Sequence, residues 1–541
     1  MTTTSRVHAA DTVLRQRWYQ EGYYTDRTFA DEVTLAARRF PNVGFVFASE
    51  QGQRRMTFPE LQREAQRVAS GLRRLGLRSG DVMAVQVPNR PELVIAYYAA
   101  FLAGIVIVPI THIYGPAEMS FILRESGAKA LVVPDVWRSI DYLDRVARLT
   151  DTPALEHVVV IGDPGDSGGR RWQELRDGPV TEGPGPTSPD EVCAIIYTSG
   201  TTSNPKGVQH THNTLLAEMR SVGPMLGMRP GESKLVPWPA GHVAGMIGIC
   251  AGLVGGTDTV LMDRWDVDLA ARLIEEHRCV TTSGTPLHIM GLLDAASSSG
   301  RDLSSLRYAQ VGGANVPPEL VERAEASGLV IARAYGSTEH PTSATHEPGA
   351  PVEKRAGTDG RPRFGDELKI VDDDGKELPV GAEGEIVTRG PARFIGYRDE
   401  ALNAESFLPD GWFRTGDVGR LDADGYLTVT DRKKDIIIRG GENIASKEVE
   451  DILVRHPAVR EAAVVAAPDE RYGERVAAFV ILSPGQTLDL TEVGAHFAAA
   501  GVARQKTPEH LFIVSDLPRT PSGKVQKFEL RRRLRACSAQ E

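Results

Sequence analysis

A short segment at residues 197–207, Tyr-Thr-Ser-Gly-Thr-Thr-Ser-Asn-Pro-Lys-Gly, carries the side chains best suited to chemistry. It follows an apolar run at 192–196 that predicts a buried strand. A strand that ends in Gly, Ser and Thr presents many N–H and O–H donors, and Lys206 adds a positive charge. Such donors suit the oxygens of a polyphosphate. An ordinary polar surface loop is the alternative that this cluster alone leaves open.

Four further motifs follow along the chain. They are Tyr-Gly-Ser-Thr-Glu at 335–339, Gly-Trp-Phe-Arg-Thr-Gly-Asp at 411–417, Asp-Arg-Lys-Lys-Asp at 431–435 running into Arg-Gly-Gly-Glu-Asn at 439–443, and Pro-Arg-Thr-Pro-Ser-Gly-Lys at 518–524. Together with the 197–207 loop, they resemble, in the same order, the signature motifs of the adenylate-forming (AMP-binding) superfamily. That superfamily includes acyl- and aryl-CoA synthetases, nonribosomal adenylation domains and luciferases. The resemblance spans nearly the whole chain.

The resemblance implies a reaction in two steps. A carboxylate attacks the α-phosphorus of ATP and pyrophosphate leaves, and the acyl group then passes to the thiol of coenzyme A. Because both first reactants are anions, the protein must stabilise accumulating negative charge, and Mg²⁺ is the implied metal cofactor. One alternative is a stand-alone adenylating enzyme that serves a separate carrier protein or another nucleophile. Another is a degenerate member that binds nucleotide for regulation, which the presence of Lys524 and Glu339 opposes.

The resemblance also assigns residues to roles. The implied catalytic residues are Lys524, Thr338, Glu339 and His242. Thr338 would contact the α-phosphate, Glu339 and Thr202 would hold Mg²⁺, and Lys524 would lie between the carboxylate and the α-phosphate. The residues expected to bind ATP or CoA are Thr198, Ser199, Gly200, Thr201, Thr202, Lys206, Gly313, Ala314, Tyr335, Gly336, Asp417, Arg432, Lys434, Gly440 and Gly441.

Several of these positions have a simpler interpretation. His242 matches the family's acyl-pocket gate, and a hydrogen-bonded core histidine is the alternative. Asp417 and Arg432 match the ribose-binding positions, although an aspartate in a turn often caps the local backbone. Gly313 permits close backbone approach to a ligand, or simply forms a turn. A lone lysine near a C-terminus is normally solvated, but the motif around Lys524 favours the catalytic role.

Side chains near His242 indicate the kind of acid. Trp238, Val243 and Met246 are apolar, and no obvious cation accompanies them for a second substrate carboxylate. The sequence therefore favours a small uncharged acid, which is aromatic, alicyclic or short aliphatic. The segment 18–24 is similar to the N-terminal stretch of members that activate aryl and cyclic acids. The segment 390–397 keeps the family's Gly-Pro and Gly-Tyr, whereas 400–403 lacks the usual proline and threonine.

Alternating helix and strand patterns predict an α/β fold. A chain of 541 residues is too long for one core at roughly 100–200 residues per domain. We expect a large N-terminal domain at 1–431, made of layered sheets with flanking helices and a small strand-rich lobe from about 350. A hinge at 432–434 and a mobile α+β domain at 435–541 follow. By resemblance, this domain swings about Lys434, withdrawing Lys524 and bringing the 439–441 loop to the site.

Charge, hydropathy and cysteine content indicate which binding partners and which compartment to expect. The net charge of −10 gives no reason to expect nucleic acid. The uncharged stretch at 93–110 predicts a core helix followed by a core strand, because Gly104 and Pro109 interrupt it, and no membrane span is expected. The four cysteines (Cys193, Cys250, Cys279 and Cys537) are widely separated, which favours reduced thiols in the cytoplasm. A homodimer is possible.

Overall fold

The computed structural model of the chain describes residues 9–538, except 182–184, 186–187, 199–204, 315, 434, 440–441, 470–471, 501–503 and 521–522. These residues form two compact units. The first comprises the chain up to Thr198, Pro205–Leu368 and Thr388–Phe413, and the second comprises Lys369–Val387 and the chain from Arg414 onward. The domain boundary at 431 and the hinge at 432–434 stay predictions.

Helices occur along the whole described chain. In order they are α1 Ala9–Gln20, α2 Phe29–Arg39, α3 Phe58–Arg74, α4 Pro91–Ala103, α5 Pro116–Ser126, α6 Tyr142–Ala147, α7 Trp172–Arg176, α8 His212–Met225, α9 Val243–Gly255, α10 Val267–His277, α11 Pro286–Ser299, α12 Pro318–Ala326, α13 Val352–Gly357, α14 Asn403–Ser406, α15 Ser446–Val454, α16 Leu490–Ala499 and α17 Lys527–Ser538.

Strands alternate with these helices. In order they are β1 Gly44–Ser49, β2 Gly52–Thr57, β3 Val82–Val85, β4 Val106–Pro109, β5 Ala130–Pro134, β6 Val136–Trp137, β7 Ile140–Asp141, β8 His157–Ile161, β9 Arg170–Arg171, β10 Val192–Thr198, β11 Lys206–Thr211, β12 Ser233–Val236, β13 Asp258–Met262, β14 Thr281–Gly284, β15 Tyr308–Gly312, β16 Val330–Tyr335, β17 Ala344–Thr345, β18 Glu367–Val371, β19 Gly384–Arg389, β20 Gly396–Tyr397, β21 Phe413–Leu421, β22 Leu427–Arg432, β23 Ile437–Arg439, β24 Glu442–Ile444, β25 Val459–Asp469, β26 Gly473–Leu482 and β27 His510–Ile513.

Two large, mostly parallel sheets dominate the first unit. One has the strand order β17-β16-β15-β14-β12-β13-β1-β2, and only its edge strands β17 and β2 pair antiparallel. The other has the order β20-β11-β10-β4-β3-β5-β8-β9, with β11 and β20 antiparallel at one edge. Every residue of β5 is buried, as expected for a strand covered on both faces. The predicted layered α/β architecture is confirmed.

One apolar core joins the two large sheets. It contains Phe45 of β1 and Met83 of β3, together with residues of α3, α4 and α9. Every residue of 93–103 is buried in α4, and Gly104 ends that helix with φ of 72°. The prediction of a core helix followed by a core strand at 93–110 is therefore confirmed. No helix in the described part of the chain has the length and apolar character needed to cross a membrane.

The second unit has an α+β composition, as predicted for the C-terminal part. A small sheet has the order β18-β19-β21-β22, and tight turns follow Asp372 and Asp422. A larger sheet has the order β24-β23-β26-β25, with β27 parallel to β26. Apolar side chains cover both of its faces. On one face, Val464 packs with Val449 of α15 and Phe497 of α16, and on the other, Val465 packs with Leu530 of α17.

Substitution of two helical glycines tests how closely α3 packs against its neighbours. A Cβ added at Gly71 of α3 would lie 2.3 Å from the carbonyl oxygen of Leu175, whereas one added at Gly494 of α16 would meet nothing within 4 Å. We expect Gly71→Ala to destabilise the protein by ~1–3 kcal/mol through overpacking. Gly494→Ala should instead stabilise it by up to ~1 kcal/mol through helix propensity. Thermal unfolding of both variants measures the difference, and equal shifts would contradict the close packing of α3.

Candidate active site

Several of the residues predicted in the first unit lie at one edge of a sheet. Trp238 and His242 follow β12, Gly313 and Ala314 follow β15, and Tyr335 ends β16. These strands run parallel within the same sheet, so their carboxyl ends lie at the same edge. Open α/β sheets bind their ligands at this edge. Gly313 has φ of 74° and is exposed there with Ala314.

The segment after β16 turns sharply. A Cβ added at Gly336 would lie 1.9 Å from the carbonyl oxygen of Pro341, so glycine alone fits this close backbone approach. The N–H of Ser337 donates to the carbonyl oxygen of His340 at 3.0 Å, which closes the turn. Thr338 and Glu339 occupy the middle of this turn. Their backbone is therefore fixed without any ligand.

A buried histidine holds Thr338. Nε2 of His210 lies 2.8 Å from the carbonyl oxygen of Thr338, and Nδ1 lies 3.1 Å from Oγ1 of Thr214. Burial lowers the pKa of His210 to about 4, so the imidazole is neutral at pH 7. Because a carbonyl oxygen only accepts, Nε2 carries the proton. The sequence analysis missed this contact, which joins residues 128 positions apart.

Two hydrogen bonds hold Glu339, one at its backbone and one at its side chain. Its carbonyl oxygen accepts from the N–H of Phe394 at 2.7 Å, and its Oε1 accepts from the Tyr397 hydroxyl at 2.7 Å. Burial and the Glu339 carboxylate raise the pKa of Tyr397, so this hydroxyl remains a donor. The sequence analysis assigned no role to Tyr397. The family's Gly-Tyr at 396–397 was the signal that could have identified it.

The surroundings of Glu339 are compatible with Mg²⁺. Among the described residues, no group of three or more His, Cys, Asp or Glu side chains is arranged so that it could hold a metal ion. Mg²⁺ does not require one, because it commonly binds one or two carboxylates together with nucleotide phosphates and waters. The described residues give Oε2 of Glu339 no hydrogen-bond donor, so this oxygen can serve as the protein ligand. Thr202, the other predicted metal residue, lies outside the described residues.

The predicted phosphate loop joins two antiparallel strands. Thr198 pairs with Lys206, and Tyr197 pairs with Gly207, across β10 and β11. The ammonium Nζ of Lys206 lies 5.0 Å from the centroid of the Tyr397 ring, within cation–π range. The predicted residues Ser199, Gly200, Thr201 and Thr202 lie outside the described part of the chain.

His242 lies at the start of α9, next to an anchored aromatic residue. Its Nδ1 accepts from the N–H of Ala244 at 3.2 Å, and its ring stacks on Trp238 with centroids 5.3 Å apart. The Trp238 indole donates to Oγ of Ser283 at 2.8 Å. Both interpretations of His242 retain support, because it caps a helix and also lies beyond the carboxyl end of β12.

Asn89 anchors the His242 segment, and the sequence analysis missed it. Its Nδ2 donates to the carbonyl oxygen of Trp238, and its Oδ1 accepts from the N–H of Ala240, both at 3.0 Å. Asn89 follows the buried strand β3, so a polar residue after a predicted strand was the available signal. The side chain ties the end of one large sheet to a loop of the other.

The remaining predicted residues belong to the second unit. Asp417 is buried and pairs with Arg432 across β21 and β22, with Oδ1 and Nε 2.8 Å apart. The Lys524 side chain is exposed after a turn in which its N–H donates to Oγ1 of Thr520 at 3.1 Å. Gly523 supports this turn with φ of 84°. Lys434, Gly440 and Gly441 lie outside the described residues.

The neutral His210 predicts a pH dependence. Its pKa is about 6.5 when unfolded and about 4 when folded, so the unfolded chain binds the proton first as the pH falls. Its contribution to stability is complete above pH 6.5 and declines towards pH 4. We expect His210→Gln to reduce by a few degrees the fall in Tm between pH 7 and pH 5. An unchanged fall would contradict this assignment, and the partly exposed His157→Gln is the control.

Replacement of Asn89 tests the anchor. Asn89→Leu leaves two backbone groups of the 238–240 segment without their partner, and each buried loss costs ~1–3 kcal/mol. We expect a lower Tm and a higher KM for the acid, with ATP affinity changed less than about twofold because no nucleotide residue is touched. The exposed Asn42→Leu is the matched control. An unchanged KM for the acid would show that the segment does not require this anchor.

Comparisons with known proteins find similarity over nearly the whole chain. A model of the AMP-binding enzyme family matches residues 33–398, and a model of its C-terminal domain matches 448–524. A medium-chain fatty-acid–CoA ligase of Escherichia coli is 36% identical over 96% of this chain and 92% of its own. A salicyl-AMP ligase of Mycobacterium tuberculosis is 34% identical over 95% and 92%. The solved o-succinylbenzoate CoA synthetase of Bacillus subtilis with ATP and magnesium has a TM-score of 0.81, at 29% identity over 94% and 100% of the chains. The chain belongs to the AMP-binding enzyme family.

Proposed function

We propose that this protein is an ATP- and Mg²⁺-dependent acid–thiol ligase that forms an acyl adenylate and transfers the acyl group to coenzyme A. One observation carries the proposal. The segments after β12, β15 and β16 bring His242, Gly313 and the 335–339 turn to one sheet edge, in a chain that matches CoA ligases over nearly their full length. In this proposal, nucleotide and acyl group bind side by side at that edge.

The residues predicted to meet ATP have separate tasks in adenylation. Lys206 and the 199–204 loop would bind the outgoing phosphates, Thr338 would contact the α-phosphate, and Glu339 would hold Mg²⁺. Asp417 accepts hydrogen bonds from the ribose hydroxyls, with Arg432 beside it. Mg²⁺ supplies charge neutralisation on the phosphates when it is bound. Lys524 brings a positive charge to the carboxylate and the α-phosphate, which would otherwise repel each other.

Side chains beside His242 support a small uncharged acid. Trp238, Val243 and Met246 are buried and apolar, and the Trp238 ring lies parallel to His242. Such surfaces favour aromatic, alicyclic or short aliphatic groups. The named substrates of the relatives, a medium-chain fatty acid and salicylate, fall in or near these classes. We therefore expect the 238–246 segment to determine which acid is accepted.

Coenzyme A is the proposed acyl acceptor. The glycines at 440–441 would leave room for its pantetheine arm once the C-terminal domain has turned about Lys434. Transfer to a separate carrier protein is the second candidate, since the salicyl-AMP ligase is also named a carrier-protein synthetase. The buried thiols Cys193, Cys250 and Cys279 are consistent with a proposed cytoplasmic location. A homodimer is part of the same proposal.

Isotope exchange between ATP and pyrophosphate tests the function. We expect exchange that depends on both acid and Mg²⁺ in a panel of benzoic, cinnamic, cyclohexane and short aliphatic acids. Addition of coenzyme A should then yield a thioester. Strong exchange without a CoA product would favour the carrier-protein candidate. No exchange with any acid of the panel would contradict the proposed function.

Two variants separate the half-reactions. Lys524→Ala should reduce adenylate formation by at least about 100-fold, because it removes the cation at the reacting centre. It should spare thioester formation from supplied acyl adenylate. Gly441→Trp should do the reverse by blocking the pantetheine arm. Single-turnover assays of each half-reaction measure both effects. Equal loss of both half-reactions in Lys524→Ala, or normal CoA turnover in Gly441→Trp, would contradict these roles.

A further inference from the structure

Tyr397 lies on the edge strand of the sheet that contains β10 and β11, the two strands that flank the predicted phosphate loop. Hydrogen bonds hold its backbone in place. It ends β20, where it pairs with Val208 of β11, two residues beyond Lys206. Its carbonyl oxygen accepts from Nε2 of Gln209 at 3.1 Å, and its N–H donates to Oδ1 of Asn403 at 2.8 Å. The ring is buried against Phe394, with centroids 4.9 Å apart. A ring fixed in this way can position other groups without first losing much conformational entropy.

The Tyr397 side chain contacts two residues that are predicted to act in the site, Glu339 and Lys206. The hydroxyl donates to Oε1 of Glu339 at 2.7 Å, and the face of the ring lies 5.0 Å from Nζ of Lys206. One contact is with the proposed metal ligand and the other with the proposed phosphate lysine. Tyr397 therefore links two segments that are separated by more than a hundred residues in sequence.

We propose that Tyr397 is a positioning residue for Mg·ATP: its hydroxyl orients the Glu339 carboxylate, and its ring holds Lys206 beside the phosphate site. This inference rests on the proposed function. Because the hydroxyl occupies Oε1, the carboxylate cannot rotate freely, and Oε2 is the oxygen presented to the metal. The ring face attracts the ammonium group without neutralising it. Lys206 thus keeps its full charge for the phosphates.

Contacts with Tyr397 leave Lys206 and Glu339 more available to nucleotide than a salt bridge between the two would. A direct salt bridge between Lys206 and Glu339 would satisfy both charges and would have to break before nucleotide could bind. With Tyr397 between them, the carboxylate receives a neutral donor and the ammonium lies on a neutral ring. Both charged groups are held in place, yet both remain able to bind new partners. The phenol performs both functions because its edge donates and its face attracts cations.

Calorimetric titration with ATP, with Mg²⁺ or with EDTA, tests the hydroxyl. In Tyr397→Phe, the Kd for Mg·ATP should rise about tenfold, which matches the loss of a hydrogen bond to a charged group. The Kd for ATP in EDTA should change less than about twofold, because Glu339 then has no metal to bind. The control is Tyr24→Phe, which removes another buried tyrosine hydroxyl, bonded to the carbonyl oxygen of Pro391. A rise of equal size with and without Mg²⁺, or no rise, would overturn the proposal.

Two further variants test the same idea independently of folding. In a Glu339→Gln background, Tyr397→Phe should add no further loss of Mg·ATP affinity, because the group it orients is gone. An additive effect would overturn the link to Glu339. Tyr397→Leu should also weaken ATP binding in EDTA by about threefold relative to Tyr397→Phe, since it removes the ring under Lys206. Equal affinities of the Leu and Phe variants in EDTA would refute the role of the ring.

These titrations use no acid and no coenzyme A, so their outcome is separate from the proposed function. A wild-type protein that binds Mg·ATP but gives no exchange with any acid would contradict the ligase activity alone. A wild-type protein with acid-dependent exchange, together with a Tyr397→Phe variant of unchanged Mg²⁺ dependence, would contradict the positioning role alone.

Discussion

The packing of α4 and α9 between the two large sheets is the constraint on which the first unit depends. Residues of both helices share one apolar core with β1, β3 and β13. Each fully buried large side chain contributes ~1.5–3 kcal/mol, so the core holds the two sheets in a fixed relation. The loops at the strand ends are therefore also held in fixed positions relative to each other. Asn89 extends it to the candidate site by bonding the loop after β3 to the loop after β12.

A second theme is the placement of charge at this edge. Thr338 is held by an imidazole that burial keeps neutral, and Glu339 is held by a neutral phenol. The phenol does not neutralise the Glu339 carboxylate, which is the proposed ligand of Mg²⁺. A site that must bring anionic reactants together gains from such neutral supports, because its cations and its metal ligand stay available for the transition state.

Local patterns in the sequence were sufficient to predict the architecture. The 93–110 stretch lacks charge and is interrupted by Gly104, which predicts the buried helix and strand that the structure contains. The capping box of Thr57 and Glu60 marks the start of α3, where the backbone N–H of Thr57 donates to the Glu60 carboxylate at 2.7 Å. The family model confirms the motif-based resemblance. Helix caps and apolar periodicity act over a few residues, so one sequence reveals them.

Supporting contacts of the site were not predictable in this way. Tyr397 meets Glu339 across 58 positions, and Asn89 meets Trp238 across 149. Tyr397 and Asn89 are ordinary polar residues, and nothing in the local sequence around either one identifies the residue that it contacts. Such contacts follow from the sheet order, which a local pattern does not encode. The roles of the motif residues themselves come from resemblance and stay predictions until ligand binding is measured.

The central claim is that nucleotide and acyl group bind at the carboxyl edge formed by β12, β15 and β16. A crystal structure of this chain with a hydrolysis-resistant benzoyl-sulfamoyl adenosine tests it most directly. The account predicts adenosine beside Gly313 and Tyr335, the sulfamoyl group at Thr338, and the benzoyl ring against Trp238 and His242. An analogue that binds elsewhere on the protein, with this edge filled only by solvent, would contradict it.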